Sequence, residues 1–194
     1  MEPILYYGVP HGCAFGTIVA LEWLCRPYRL LRLELPGQPN PMLQTDGRVI
    51  RDCREILRHL ASRRRYLLGY RSGTVDHARL ERLIDTMHVE FQGGEARLAA
   101  VCAQLNAQLA GREWLDGNKR TVADACLVAA VRWAERHAGL ELGRYPRLQQ
   151  YLAELHGDPA VFFADAIETR RPAVTSGRFR GHLSLDEVDL PLAA

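Results

Sequence analysis

Two positions near the start of the chain carry side chains and spacings suited to sulfur and anion chemistry. Cys13 follows a short apolar run, Ile4 to Tyr7, that is closed by Gly8, Val9, Pro10 and Gly12, and it stands where a helical pattern begins. Free N–H groups and the dipole at a helix start favour an anion, so a thiol there is a candidate for ionisation near neutral pH. A small buried hydrophobe is the competing reading of the same residue. Asp52 and Cys53 open a second expected helix, whose unpaired N–H groups suit a carboxylate ligand. Asp52 serves equally well as a plain helix N-cap. Tyr6 adds a phenol on the first apolar run, where an aromatic ring is as often packing as chemistry.

These residues must be positioned by the elements around them. Ile4 to Tyr7 reads as a buried strand, Ala14 to Cys25 as a helix with Phe15, Ile18, Val19, Leu21, Trp23 and Leu24 at helical spacing, and Tyr28 to Leu35 as a second strand. Pro27 stops the helix. Strand, helix and strand in so short a stretch form a βαβ unit with parallel strands. Pro36 to Pro41 holds three prolines and a glycine and is no helix. Met42 to Ile50, turning at Asp46-Gly47, reads as a hairpin, and Asp52 to Arg63 as a helix with Ile56, Leu57 and Leu60 on one stripe.

Beyond Gly69 to Gly73 the periodicity is helical throughout. Leu80, Leu83, Ile84 and Met87 make one stripe, and Leu98, Val101, Cys102, Leu105 and Leu109 make another after Gly93-Gly94. Further helices are expected over Thr121 to His137, Pro146 to Leu155 and Pro159 to Ile167. Thr121 and Asp124 have the spacing of a reciprocal capping box. The expected architecture is α/β plus all-α: a βαβββα domain over residues 1–69, a helical bundle over 76–169, and a C-terminal extension over 170–194, packed on the surface or mobile.

Composition excludes several classes. Hydrophobic residues at 47% and charged residues at 25% are ordinary globular values. Lys+Arg 25 against Asp+Glu 23, a net charge of +2, argues against a dedicated nucleic-acid binder, with Arg63-Arg64-Arg65 the one local basic run. No basic leader or long apolar run follows Met1, so the expectation is a cytoplasmic protein with no membrane partner. The five cysteines (Cys13, Cys25, Cys53, Cys102, Cys126) form no CxxC pair and no zinc-like spacing, which points to free thiols and no metal.

Two stretches carry a family resemblance. Gly111 to Ile167 (GREWLDGNKRTVADACLVAAVRWAERHAGLELGRYPRLQQYLAELHGDPAVFFADAI) resembles the C-terminal pattern of the glutathione S-transferases. In the other half, ILYYGVPHGCAFGTIVALEWLCRPYRLLRLEL and DGRVIRDCREILRHLA resemble their first βαβ unit and the segment after it. The resemblance implies a thioredoxin-like N-terminal domain lacking its usual second helix, because only Pro36 to Asn40 separates the second strand from Pro41. It also implies glutathione as co-substrate, a small electrophilic substrate and a homodimer.

What the resemblance implies for the site is carried residue by residue. Tyr6, Cys13 and His11 compete as the group that activates the glutathione thiol: Tyr6 resembles the tyrosine of tyrosine-type members, Cys13 the cysteine of bacterial beta-type members, and His11 falls at the serine of serine-type members. Pro41, between Asn40 and Met42, resembles the cis-proline beside the cysteinyl part of glutathione. Asp52-Cys53 falls at the acidic-serine pair that holds the γ-glutamyl end, with a weak S–H donor in place of a hydroxyl. Three activities follow: a glutathione transferase that conjugates or reduces an electrophile, a non-catalytic regulator of the same fold working through protein partners, or thiol-disulfide chemistry at Cys13.

Overall fold

In a computed structural model of the chain, residues 2–8, 12–33, 41–64, 66–91, 94–117, 119–175 and 177–188 are described. Strand β1 (Ile4–Tyr7) runs into helix α1 (Ala14–Leu24), and the chain returns as β2 (Tyr28–Arg32) parallel to β1, as a βαβ unit requires. Strands β3 (Met42–Thr45) and β4 (Arg48–Ile50) form an antiparallel hairpin. Its tip uses left-handed backbone at both Asp46 (φ 48°) and Gly47 (φ 74°), the conformation that two-residue Asp-Gly turns favour. Helix α2 (Cys53–Arg63) follows. The stretch expected to lack a helix, Pro36 to Asn40, lies outside the described residues.

The helical half comprises α3 (Val75–Glu90), α4 (Glu95–Gln108), α5 (Val122–His137), α6 (Pro146–His156) and α7 (Pro159–Glu168). Proline at the first turn of α6 and α7 costs nothing there, because the missing N–H would have had no helical partner. The Thr121/Asp124 capping box forms: the Asp124 carboxylate accepts the Thr121 amide at 2.6 Å, and Thr121 Oγ1 accepts the Ala123 amide at 3.2 Å.

The C-terminal extension supplies a fifth strand. Strand β5 (Phe179–His182) pairs parallel to β2, giving the sheet order β4-β3-β1-β2-β5. Alternation along β1 divides the core in two. Leu5 and Tyr7 face α1 and the main core, whereas Tyr6 points to the opposite face with Leu31, Leu33 and Met42. Leu183 and Val188 of the C-terminal segment cover that second face. Side chains also tie the segment down: the buried Glu22 carboxylate accepts from Tyr28 Oη at 2.5 Å and from Thr175 Oγ1 at 3.1 Å, and Tyr7 Oη lies 2.9 Å from His182 Nε2.

Helix α1 is buried along its whole length, polar Thr17 and Glu22 included. Its apolar residues share one core with Leu5, Leu30 and Leu43 of the sheet, and α5 and α7 pack on what would otherwise be its solvent face. Gly16 permits the approach of α5, since a Cβ there would sit 2.6 Å from the Ala125 carbonyl oxygen. Contact between the two halves therefore converges on the helix that begins at Cys13.

Candidate functional site

The N-termini of α1 and α2 meet. Cys13 precedes α1 with no side-chain cap on the helix, and its carbonyl accepts the Thr17 amide and hydroxyl, both at 3.3 Å, as well as the Cys53 thiol at 3.6 Å. Cys53 is the first residue of α2, and Asp52 caps that helix by accepting the Glu55 amide at 3.1 Å. The sequence places each residue by local signals: a glycine and proline loop before the first helix, and a capping aspartate before the second.

Electrostatics separate the two thiols. A hydrogen bond from Cys53 to the Cys13 sulfur is the largest influence on Cys13; burial and the Asp52 carboxylate oppose it, and the thiol is lowered to about 7. Cys53 moves the other way, well above the ordinary thiol range, first because it donates to Cys13 and then because it is buried. Of the two thiols, Cys13 is therefore the one that ionises near neutral pH, with its neighbour kept protonated. Asp52 is desolvated, yet the Glu55 amide and the Arg54 guanidinium at 3.3 Å outweigh that and keep its carboxyl below its ordinary value.

Cys13, Cys53 and Arg54, but not Asp52, border a cavity of about 160 Å3 between the two halves of the molecule. From α1 and its approach come Gly12, Cys13, Ala14 and Gly16; from α2 come Cys53, Arg54 and Leu57. The opposite wall belongs to the helical half: Met87 and His88 on α3, Phe91 just beyond it, and Cys126, Ala129, Ala130 and Trp133 on α5. Burial, then the Arg54 charge, hold His88 below the usual imidazole range, so the wall is neutral and largely apolar around a single anion. Such a setting suits a sulfur nucleophile, or a thiol partner for a bound sulfur anion.

The wall on α5 was not singled out from sequence, although the signal was present. Cys126, Ala129, Ala130 and Trp133 recur at three- and four-residue spacing after the capping box and so share one helical face. Cys126 is pushed up to about 12, by burial first and then by the Cys13 charge, so it is a third thiol on the same cavity and a protonated one.

The remaining candidates are divided. Tyr6 is not brought to the cavity: strand alternation turns it to the other sheet face, where its buried phenol donates to Gln44 Oε1 at 2.5 Å and desolvation raises its pKa. Met42 pairs with Tyr6 across the β1/β3 ladder and packs on that same far face, and Pro41 before it is buried. His11 and Asn40 lie outside the described residues. Among the described residues no cluster of three His, Cys, Asp or Glu side chains could hold a metal, and no helix is long and apolar enough to cross a membrane.

Comparison with known proteins agrees with this architecture. The family model described as "Glutathione S-transferase, C-terminal domain" matches residues 79–154, the heart of the helical half. The chain is 23% identical over 193 residues to glutathione S-transferase GST-4.5 of Xanthomonas campestris pv. campestris, covering 80% of this chain and 94% of that protein. A glutathione transferase from Methylococcus capsulatus str. Bath superimposes with a TM-score of 0.75 at 24% identity, covering 87% of this chain and 99% of that one. A sphingomonad glutathione S-transferase solved in complex with glutathione gives a TM-score of 0.72 at 23% identity, with 86% and 98% covered. By sequence, residues 79–154 match the glutathione S-transferase C-terminal domain, and the described architecture has the fold of the solved glutathione S-transferases.

Proposed function

We propose that this protein binds glutathione in the cavity between its two halves and conjugates or reduces a small electrophile there, acting as a cytoplasmic homodimer. The observation that carries the reading is Cys13, a thiol lowered to about 7 at the mouth of α1 and facing an apolar cavity. Near neutral pH it is populated in two forms. Protonated, it donates to the sulfur of bound glutathione; ionised, it attacks a sulfur electrophile directly. Asp52 would receive the γ-glutamyl ammonium, and Pro41 would stand beside the cysteinyl part. Phe91, Met87 and Trp133 supply apolar surface for the electrophile. Exposed Tyr66 and Leu67, beside the turn that ends α2, would offer apolar surface for self-association.

Calorimetric titration with glutathione, followed by turnover of a chloronitrobenzene, tests the reading. Saturable binding at or below millimolar concentration is expected, with turnover at least about tenfold lower in Cys13→Ala, because a positioned proton donor commonly contributes that much or more. Absence of binding at millimolar glutathione would sink it and leave the regulator reading, in which partners contact the outer surface.

A further inference from the structure

Of the five cysteines, Cys25 is exposed at the far end of α1 and Cys102 is buried within α4, but Cys13, Cys53 and Cys126 border one cavity. Two of those three lie at helix N-termini that meet, with the Cys53 thiol donating to the Cys13 carbonyl at 3.6 Å. We propose that Cys13 and Cys53 form a working dithiol that reduces small disulfides, Cys13 attacking and Cys53 resolving.

The electron count closes without a cofactor. The Cys13 thiolate attacks one sulfur of a disulfide R–S–S–R; a Cys13–S–S–R bond forms and R–S⁻ leaves, taking up a proton as R–SH. Cys53 then loses its proton and attacks the Cys13 sulfur, forming the Cys13–Cys53 disulfide and releasing the second R–SH. The two protein thiols are oxidised by two electrons, and the disulfide is reduced to two thiols.

Geometry and charge assign the order. Cys13 carries the thiolate and faces the cavity, whereas Cys53 is kept protonated by donating to it. Once Cys13 is consumed in a mixed disulfide, its negative charge is gone and so is the interaction that holds the Cys53 proton. Burial still favours the protonated Cys53, but the largest influence holding its proton is removed by the first step. Cys126 is the rival resolver, but it sits within α5, whose backbone is fixed against α1 at Gly16, whereas Cys53 is the first residue of its helix. The apolar wall of Phe91, Met87 and Trp133 accommodates the substituents of a small disulfide.

The step requires no recognition of a peptide, so it stands apart from the glutathione reading. The probe is bis(2-hydroxyethyl) disulfide, added to reduced full-length protein carrying Cys25→Ser, since residues 1–29 form one tryptic peptide that holds both Cys13 and Cys25. The expected product is protein lighter by two hydrogens, two equivalents of 2-mercaptoethanol, and a linked pair of tryptic peptides joining Cys13 to Cys53. In Cys53→Ser the mixed disulfide at Cys13 should persist at least tenfold longer, whereas Cys126→Ser should behave as the parent. A lasting mixed disulfide in the parent protein, a bond to Cys126, or no reaction with the probe would overturn the proposal, whatever the glutathione titration gives. The parent protein alone decides the question should Cys53→Ser fail to fold.

Discussion

Cys13 and Cys53 illustrate how two identical side chains at two similar helix starts acquire opposite roles. Helix position alone would favour ionisation of either one. The hydrogen bond between them breaks the tie, lowering Cys13 to about 7 and raising Cys53. Since the thiolate is the reactive form, alkylation of Cys13 by iodoacetamide should rise with a midpoint near pH 7 and level off above pH 8. Replacing Cys53 with Ala removes the donor that stabilises the thiolate while burial and Asp52 still oppose it, so the midpoint should move upward and alkylation at pH 7 should slow. An unchanged midpoint, read by peptide mapping in the Cys25→Ser background, would show that Cys53 does not tune Cys13. Cys13 and Asp52 were legible in sequence because a broken apolar run and a capping residue mark helix starts. The pairing of Cys13 with Cys53 was not, because it depends on two helix ends forty residues apart in the chain meeting in space. Asp124 makes the same point within the helical half. Beyond the expected cap, its buried carboxylate accepts the Leu115 amide at 3.0 Å and the Tyr151 hydroxyl, joining a turn and α6 to the start of α5. Burial pushes its carboxyl above the ordinary range although these donors pull it back. Asp124→Ala should therefore cost roughly 3 kcal/mol or more, a lost cap plus buried donors left unpaired, as measured by urea denaturation.

At the scale of elements, the parts that follow local periodicity were readable and the parts that depend on long-range pairing were not. The βαβ unit, the Asp46-Gly47 hairpin and α3 and α5 to α7 form close to where their patterns place them. Strand β5 was missed because Phe179 to His182 is short, carries Arg180 and Gly181, and shows no clean alternation. Its strand geometry comes from the edge of β2, with a register irregularity between Tyr28 and Leu30 and left-handed backbone at Gly181 (φ 98°). Phe179 packs edge-on to Phe163, with ring centroids 5.3 Å apart, and tilted at 5.7 Å to Tyr28, so β5 joins the sheet to α7. Phe179→Ala should destabilise the fold by about 2 kcal/mol, less than a fully buried phenylalanine would, and should speed proteolysis of the C-terminal segment. Protease sensitivity equal to that of the unaltered protein would mean the strand contributes little.

For the whole molecule, a helix buried between both halves predicts that they unfold together. α1 packs on α2 and shares a core with the sheet on one side, and packs on α5 and α7 on the other, and Asp158 bridges the same seam by accepting Trp23 Nε1 at 2.9 Å, Arg120 at 2.9 Å and the Ala160 amide at 2.8 Å. The cavity sits on this seam, with Cys13 on one side and Trp133 on the other, so the site exists only while the halves are docked. Gly16 tests the coupling because two effects compete there. Gly16→Ala gains about 1 kcal/mol of helix propensity, but the new Cβ would meet the Ala125 carbonyl oxygen at 2.6 Å, and overpacking against backbone costs about 1–3 kcal/mol. The contact should win, because α5 cannot recede without opening the interface along its length. Urea unfolding followed by tryptophan fluorescence and by far-ultraviolet circular dichroism should give coincident transitions in the parent protein and again in Gly16→Ala, displaced together to lower urea. Transitions that separate, or a variant more stable than its parent, would mean the halves fold independently and that α1 belongs to one of them alone.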